Sequence, residues 1–187
     1  VKLRPLSGLL VLLSLLLVTM TGCGSSSNGV VSGGGQIVEF TTAAQRGTPI
    51  NLSGTSLDGK PISVANYRGK VLVINFWWSG CWPCIAEAPK LKAAYASGKA
   101  AFIGINILDN SAAQGLAFER SLGIPYPSIY APDGQAVLAF NGSVSPQVIP
   151  ATIVLDPQGR VAAVVRGLIT GNDTLKDLIQ DASKAAT

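Results

Sequence analysis

Histidine is absent from the 187-residue chain, and cysteine occurs only three times. Without histidine there can be no Ser-His-Asp triad, no Cys/His zinc site and no histidine-ligated haem. Proton chemistry near neutral pH must then fall to a perturbed Cys, Asp, Glu or Lys. Charge is also scarce, at 13% of residues. No basic run is present, so nucleic acid is excluded as a partner. The formal charge of +4 falls to +2 once Lys2 and Arg4, in a leader without acidic residues, are set aside. The longest apolar run of that leader, about Leu9 to Val18, is too short for a membrane span. What is present is enough apolar sequence for one ordinary domain with a core.

The opening VKLRPLSGLLVLLSLLLVTMTGC has a basic start, an apolar middle and small residues at its end, the layout of a secretory signal. Its last four residues, Met20-Thr21-Gly22-Cys23, resemble the lipobox of bacterial lipoproteins, with Met20 where an aliphatic residue is usual. The expectation is a signal peptide over 1–22, cleaved so that Cys23 carries lipid. An uncleaved anchor would tether the chain in the same place, outside the cytoplasmic membrane. Residues 23–46 contain the Gly/Ser-rich run GSSSNGVVSGGG and read as a flexible linker. Gly33-Gly34-Gly35 is not a phosphate loop, since no strand precedes it and no Lys-Ser/Thr follows. The folded domain is expected over 47–187.

Within that domain, NLSGTSLDGKPISV places two short strands around the Asp58-Gly59 turn. KVLVINFWW is a continuous apolar run, the pattern of a strand buried on both faces. A helix is expected from Trp82 to about Ala96, kinked at Pro89, and AAFIGINIL is a second buried strand. Ser111 can cap a helix that Gly123 stops. ATIVLDPQGRVAAVV is a hairpin turning at Asp156 to Gly159, and a capped helix closes the chain. This order predicts an α/β fold with a mixed sheet flanked by helices.

Cys81 and Cys84 are two residues apart, between a buried strand and a helix start. Three roles compete for them. Zinc needs about four ligands, and neither a second pair nor a histidine exists. A purely structural disulfide over so short a loop stabilises little by the loop-entropy argument. A redox pair fits the position, because free N–H groups and the dipole at a helix start favour a Cys81 thiolate. Cys84, one turn further in, is expected to be less exposed and to resolve a mixed disulfide at Cys81. Pro83 suits the first helical turn. Glu87, on the same helix face as Cys84, is either its proton partner or a solvated surface carboxylate.

KVLVINFWWSGCWPCIAEAP resembles the active-site segment of thioredoxin-fold thiol–disulfide oxidoreductases, specifically the membrane-tethered TlpA/ResA-like group. Asn75, Phe76, Trp77, Cys81, Cys84, Glu87 and Pro89 match that group's pattern in order and spacing. LDGKPISVANYRGK and VIPATIVLDPQGRV are similar to its flanking segments, so the resemblance runs from about 47 to 167. It implies a thioredoxin fold with an N-terminal β-hairpin extension and an inserted helix and strand between about Asn106 and Pro150. It also implies a cis Ile149-Pro150 bond facing the cysteines, forming a substrate platform with Trp82 and Pro83. Asn75 stands where cytoplasmic thioredoxins carry a buried Asp, which shifts proton handling to Glu87. Gly80 departs from the Trp usual before the first cysteine, with Trp78 and Trp82 as candidates for the missing aromatic rim; Trp77 is expected in the core.

The function so implied is thiol–disulfide exchange with cysteine-containing exported proteins, as a specific reductant of clients such as apocytochrome c. A disulfide-forming oxidant is the alternative, and a non-catalytic binding lipoprotein a weaker one. A peroxidase would want a Pro-x-x-x-Thr-x-x-Cys setting, and NFWWSG precedes Cys81 instead. No metal or organic cofactor is needed. The implied partners are the client, the membrane through Cys23, and a membrane-bound or thioredoxin-like protein that resets the pair.

Overall fold

The computed structural model describes residues 31–32, 35–140 and 142–184; the leader and Cys23 lie outside them. Its centre is the apolar run read as a two-faced strand. Strand β5 (Leu72–Trp77) is buried at every position. Leu72, Ile74 and Phe76 point into one core with Ile103, Ile105, Ile153 and Phe140. Val73, on the other face, joins Leu91, Phe102, Leu175 and Leu178. Alternation sends successive side chains to opposite faces, so a strand covered on both sides is apolar throughout.

Seven strands form the sheet, in the order β1-β2-β9-β8-β5-β6-β7. These are β1 (Val31–Ser32), β2 (Gly35–Glu39), β6 (Ala101–Asn106), β7 (Ser128–Tyr130), β8 (Ala151–Leu155) and β9 (Val161–Gly167) around β5. β5, β6 and β7 run parallel, while β8 is antiparallel to β5 and to β9. The sheet is therefore mixed, as expected. Strands β3 (Ser53–Thr55) and β4 (Pro61–Ser63) make the anticipated hairpin around Asp58-Gly59.

Helix α2 (Trp82–Ala96) follows β5 and continues through Pro89. Helix α3 (Ala112–Leu122) is capped by the Ser111 side chain and stopped by Gly123 at a left-handed φ of 62°. Helix α4 (Thr174–Ser183) lies against α2, β8 and β9. It begins at Asp173, which makes no side-chain cap bond, so the expected cap is missing. Between β6 and β8 the chain adds α3, β7 and a 3-10 segment (Gln135–Phe140) whose Phe140 is fully buried.

The linker assignment over 23–46 needs correction, because the folded unit begins by Gly35. β2 pairs with β9 from Gly35↔Gly167 to Glu39↔Ala163. Helix α1 (Ala43–Arg46) follows, started by a reciprocal cap between Thr42 and Gln45. Arg46 then closes the segment onto the body: its guanidinium reaches the buried Asp156 at 3.2 Å. Burial pushes the Asp156 carboxyl up, but hydrogen bonds from Arg160 and Arg46 outweigh it and hold it below its usual range. The physical reason for the difference is that β9 offers a free edge, which the chain entering α1 fills.

Candidate active site

The site is built where β5 ends and α2 begins. Cys81 is the N-cap of α2, in extended conformation, and its Sγ accepts a hydrogen bond from the Cys84 N–H at 3.2 Å. Cys81 and Cys84 are joined as a disulfide, with Cα atoms 5.3 Å apart. Both residues are 4% exposed. Cys84 is thus no less exposed than Cys81, because the bond draws both sulfurs into one cluster with Leu57 and Trp77. Ile149 packs against that cluster.

Glu87 is fully buried on the same inward face of α2 as Cys84. The solvated-glutamate alternative is therefore overturned. Its Oε1 accepts from Asn75 Nδ2 at 2.8 Å, and its Oε2 accepts from the Ile169 N–H at 3.3 Å. Burial pushes its carboxyl up to about 7, against the pull of those two hydrogen bonds and of the Lys90 charge. A carboxyl poised there exchanges protons at neutral pH, a role for which this chain has no histidine. Asn75 also donates to Thr152 Oγ1 at 3.3 Å, which ties β5, α2 and β8 together behind the cysteines.

Ile149-Pro150 is a cis peptide bond, as the resemblance implied. The carbonyl of Pro150 is taken by the Gly167 N–H at 2.9 Å. The N–H and C=O of Ile149 bond to no other described residue. The backbone edge open to an incoming strand is therefore that of Ile149. Trp82 is 73% exposed beside the disulfide, while Pro83 is half-buried in the first turn of α2.

Gly80 is explained by Trp78. A Cβ built on Gly80 would clash with Cζ3, Cη2 and Cε3 of the Trp78 six-membered ring, so that indole takes the space a residue-80 side chain would need. Trp77 is core, as expected: it stacks on Phe118 with centroids 5.2 Å apart and donates its Nε1–H to Ser128 Oγ at 3.1 Å.

Two groups escaped sequence reasoning. Ser128 passes the Trp77 hydrogen bond on to the buried Glu119 carboxylate. Burial raises the Glu119 carboxyl to about 7, with the Ser128 hydrogen bond opposing and the Asp58 charge adding to the rise. Asp109, 1% exposed, accepts from the Ser79 N–H at 3.1 Å and from its hydroxyl at 2.6 Å, bolting the segment before Gly80 to the β6–α3 loop. The signal that marks Asp109 is the Leu108-Asp109-Asn110 break after a buried strand; Glu119 has none, since it sits among ordinary helix residues. Among the described residues no group of three or more Cys, Asp or Glu side chains is arranged to hold a metal.

The AhpC/TSA family model matches residues 36–164. The thiol–disulfide oxidoreductase ResA of Bacillus subtilis is 31% identical over 116 residues, which cover 60% of this chain and 62% of that protein. Its counterpart in Geobacillus kaustophilus is 30% identical over 144 residues, covering 75% of this chain and 79% of the relative. Among solved structures, a DsbF homologue from Corynebacterium diphtheriae superposes with a TM-score of 0.71 at 33% identity, over 81% of this chain and 96% of that one. A secreted thiol-disulfide isomerase from Corynebacterium glutamicum gives 0.72 at 30% identity, over 83% and 99%. With the family model spanning well over half of the sequence and a paired Cys-Trp-Pro-Cys at the head of α2, the chain belongs to the thioredoxin-fold thiol–disulfide oxidoreductases of the AhpC/TSA family, of the ResA/TlpA type.

Proposed function

We propose that this chain is an exported, membrane-tethered reductant that passes two electrons from Cys81 and Cys84 to disulfides of exported proteins, with apocytochrome c as the type of client. One observation carries the reading: Cys81 Sγ faces the amide of Cys84, while Glu87 is buried on the inward face that Cys84 shares. The nucleophile and the resolving thiol thereby receive different electrostatic support. The Cys84 N–H and the start of α2 favour negative charge on Cys81. Glu87 near neutrality takes the Cys84 proton when that thiol must attack.

In the reducing direction, Cys81 thiolate attacks one sulfur of a client disulfide and expels the other as a thiolate. The resulting mixed disulfide is then attacked by Cys84, whose proton moves to Glu87. This releases the second client sulfur as a thiolate and leaves Cys81–Cys84 oxidised, with two electrons on the client. Ile149 offers its free backbone edge to the client, Pro150 shapes that edge, and Trp82 and Pro83 form the apolar shoulder of the platform. A dithiol partner, membrane-bound or thioredoxin-like, returns the pair to its reduced form. Thiol exchange of this kind requires no metal or organic cofactor.

Tethering rests on the leader over 1–22 and on Cys23 as the lipidated residue, both outside the described residues. The secreted relative of known structure supports export. Among the described residues no helix is long and apolar enough to cross a membrane. The test of the exchange itself is a Cys84→Ser variant. It is expected to accumulate client mixed disulfides through Cys81 that a Cys81→Ser variant does not form. A Cys84→Ser protein that traps nothing under either oxidising or reducing conditions would contradict exchange and favour a binding lipoprotein.

A further inference from the structure

Leu108 is the one non-glycine residue among those described with a left-handed φ, at 67°. A leucine is strained in that conformation, and such outliers persist only where the surroundings over-determine them. The surroundings here do so. On one side, the Ile107 N–H bonds to the Trp77 carbonyl at 3.0 Å, extending the β5–β6 ladder past the strand ends. On the other, the Asp109 carboxylate holds the N–H and hydroxyl of Ser79 and accepts from Asn106 Nδ2 at 2.7 Å. Tyr130 donates its hydroxyl to the Asp109 carbonyl at 3.1 Å.

The strain does not serve packing, because Leu108 remains 47% exposed. Glycine would hold the same backbone without the steric penalty, and asparagine at a smaller net cost. The position explains what an apolar side chain does there. β5 has β8 on one side and β6 on the other. The cysteine loop at the end of β5 therefore lies between the Ile149 edge, which leads into β8, and the Leu108 loop, which leaves β6. Val148, before Ile149, is 41% exposed, and Trp82 stands at the head of α2.

We propose that Leu108 is a client-specificity residue: it receives an apolar side chain of an extended polypeptide whose cysteine lies against Cys81, on the flank opposite Ile149. The inference rests on the proposed exchange with protein clients. It assigns this chain a preference for client cysteines with an apolar residue a few positions away.

The experiment compares wild type with Leu108→Gly, which keeps the left-handed backbone and removes the strain, and with Leu108→Lys. The substrates are two synthetic disulfide-linked peptides, one with leucines and one with serines at the few positions on either side of the cysteines, and a small aromatic disulfide. For the leucine peptide, kcat/KM is expected to fall about 10-fold in both variants, the scale of losing much of one leucine's burial. The serine peptide and the small disulfide are expected to react within about two-fold of wild type, so that the two peptides lose their difference. Equal rates for wild type and Leu108→Gly on the leucine peptide would overturn the proposal. A parallel loss on the small disulfide would also overturn it, assigning Leu108 to placement of the cysteines instead. Failure of the exchange reading is separate: wild type itself would then reduce none of the three.

Discussion

Replacing Glu87 by glutamine separates the charge of this buried group from its shape. Its carboxyl is raised from the usual 4.5 to about 7 in the folded chain. A raised acid binds more protons folded than unfolded between those two values, so stability falls as pH rises through that window. Every tenfold gain in proton affinity on folding corresponds to about 1.36 kcal/mol, so the wild type is expected to lose about 3 kcal/mol from this group between pH 4 and 8. Glutamine does not titrate and loses nothing over that range. It keeps its carboxamide oxygen as an acceptor for Asn75 Nδ2, but then turns an NH2 donor toward the Ile169 N–H, a fixed cost of about 1–3 kcal/mol. The fixed cost cancels in a difference taken across pH. Urea unfolding of the oxidised protein, wild type and Glu87→Gln, at several pH values from 4 to 8 provides the assay. The variant should gain on the wild type by about 3 kcal/mol over that range, with the change complete shortly above pH 7. A difference that stays flat, or one that moves the other way, would refute the buried, proton-exchanging Glu87.

Other expectations follow from the same packing. Gly80→Trp should lose about 1–3 kcal/mol by overpacking against the Trp78 ring, and Trp78→Ala in the same chain should return part of it. Thermal unfolding measures both, and a single variant as stable as wild type would show that Trp78 does not fill that space. Asp156→Ala strands the buried Arg46 and should cost about 3–5 kcal/mol. A loss below about 1 kcal/mol in the same assay would place α1 outside the cooperative unit. Ser128→Ala leaves the Trp77 N–H without its acceptor and Glu119 without its donor, for a loss of about 1–3 kcal/mol. The Trp77 indole proton resonance should shift in that variant, and an unmoved resonance would remove the link.

Legibility in the sequence followed the range of the interactions. Helix α2 is readable because Pro83 suits a first helical turn, and α3 because Ser111 and Gly123 bracket it. β5 is readable because two-sided burial writes itself as an unbroken apolar run. The burial of Glu87 is not readable: its partners come from Asn75 on β5 and from the backbone of Ile169, and an amide leaves no mark on residue type. β2 is hidden because a short strand takes its order from its pairing with β9, and the glycines before it read as linker. The capping residues Thr42 and Gln45 are a local signal of ordered chain, marking the start of α1 inside the stretch that reads as linker. The cis Ile149-Pro150 bond came from the family resemblance alone, since a proline before a strand is locally ordinary.

Whether Cys81 and Cys84 form a working pair that donates electrons is tested most directly by the pair's reduction potential. The purified protein would be equilibrated in thiol–disulfide buffers of graded ratio and its reduced fraction measured. The expected result is a reversible two-electron couple near the thioredoxin end of the known range, about −270 mV. A value near the oxidising end, about −120 mV, would contradict the reductant reading and make the disulfide the active form.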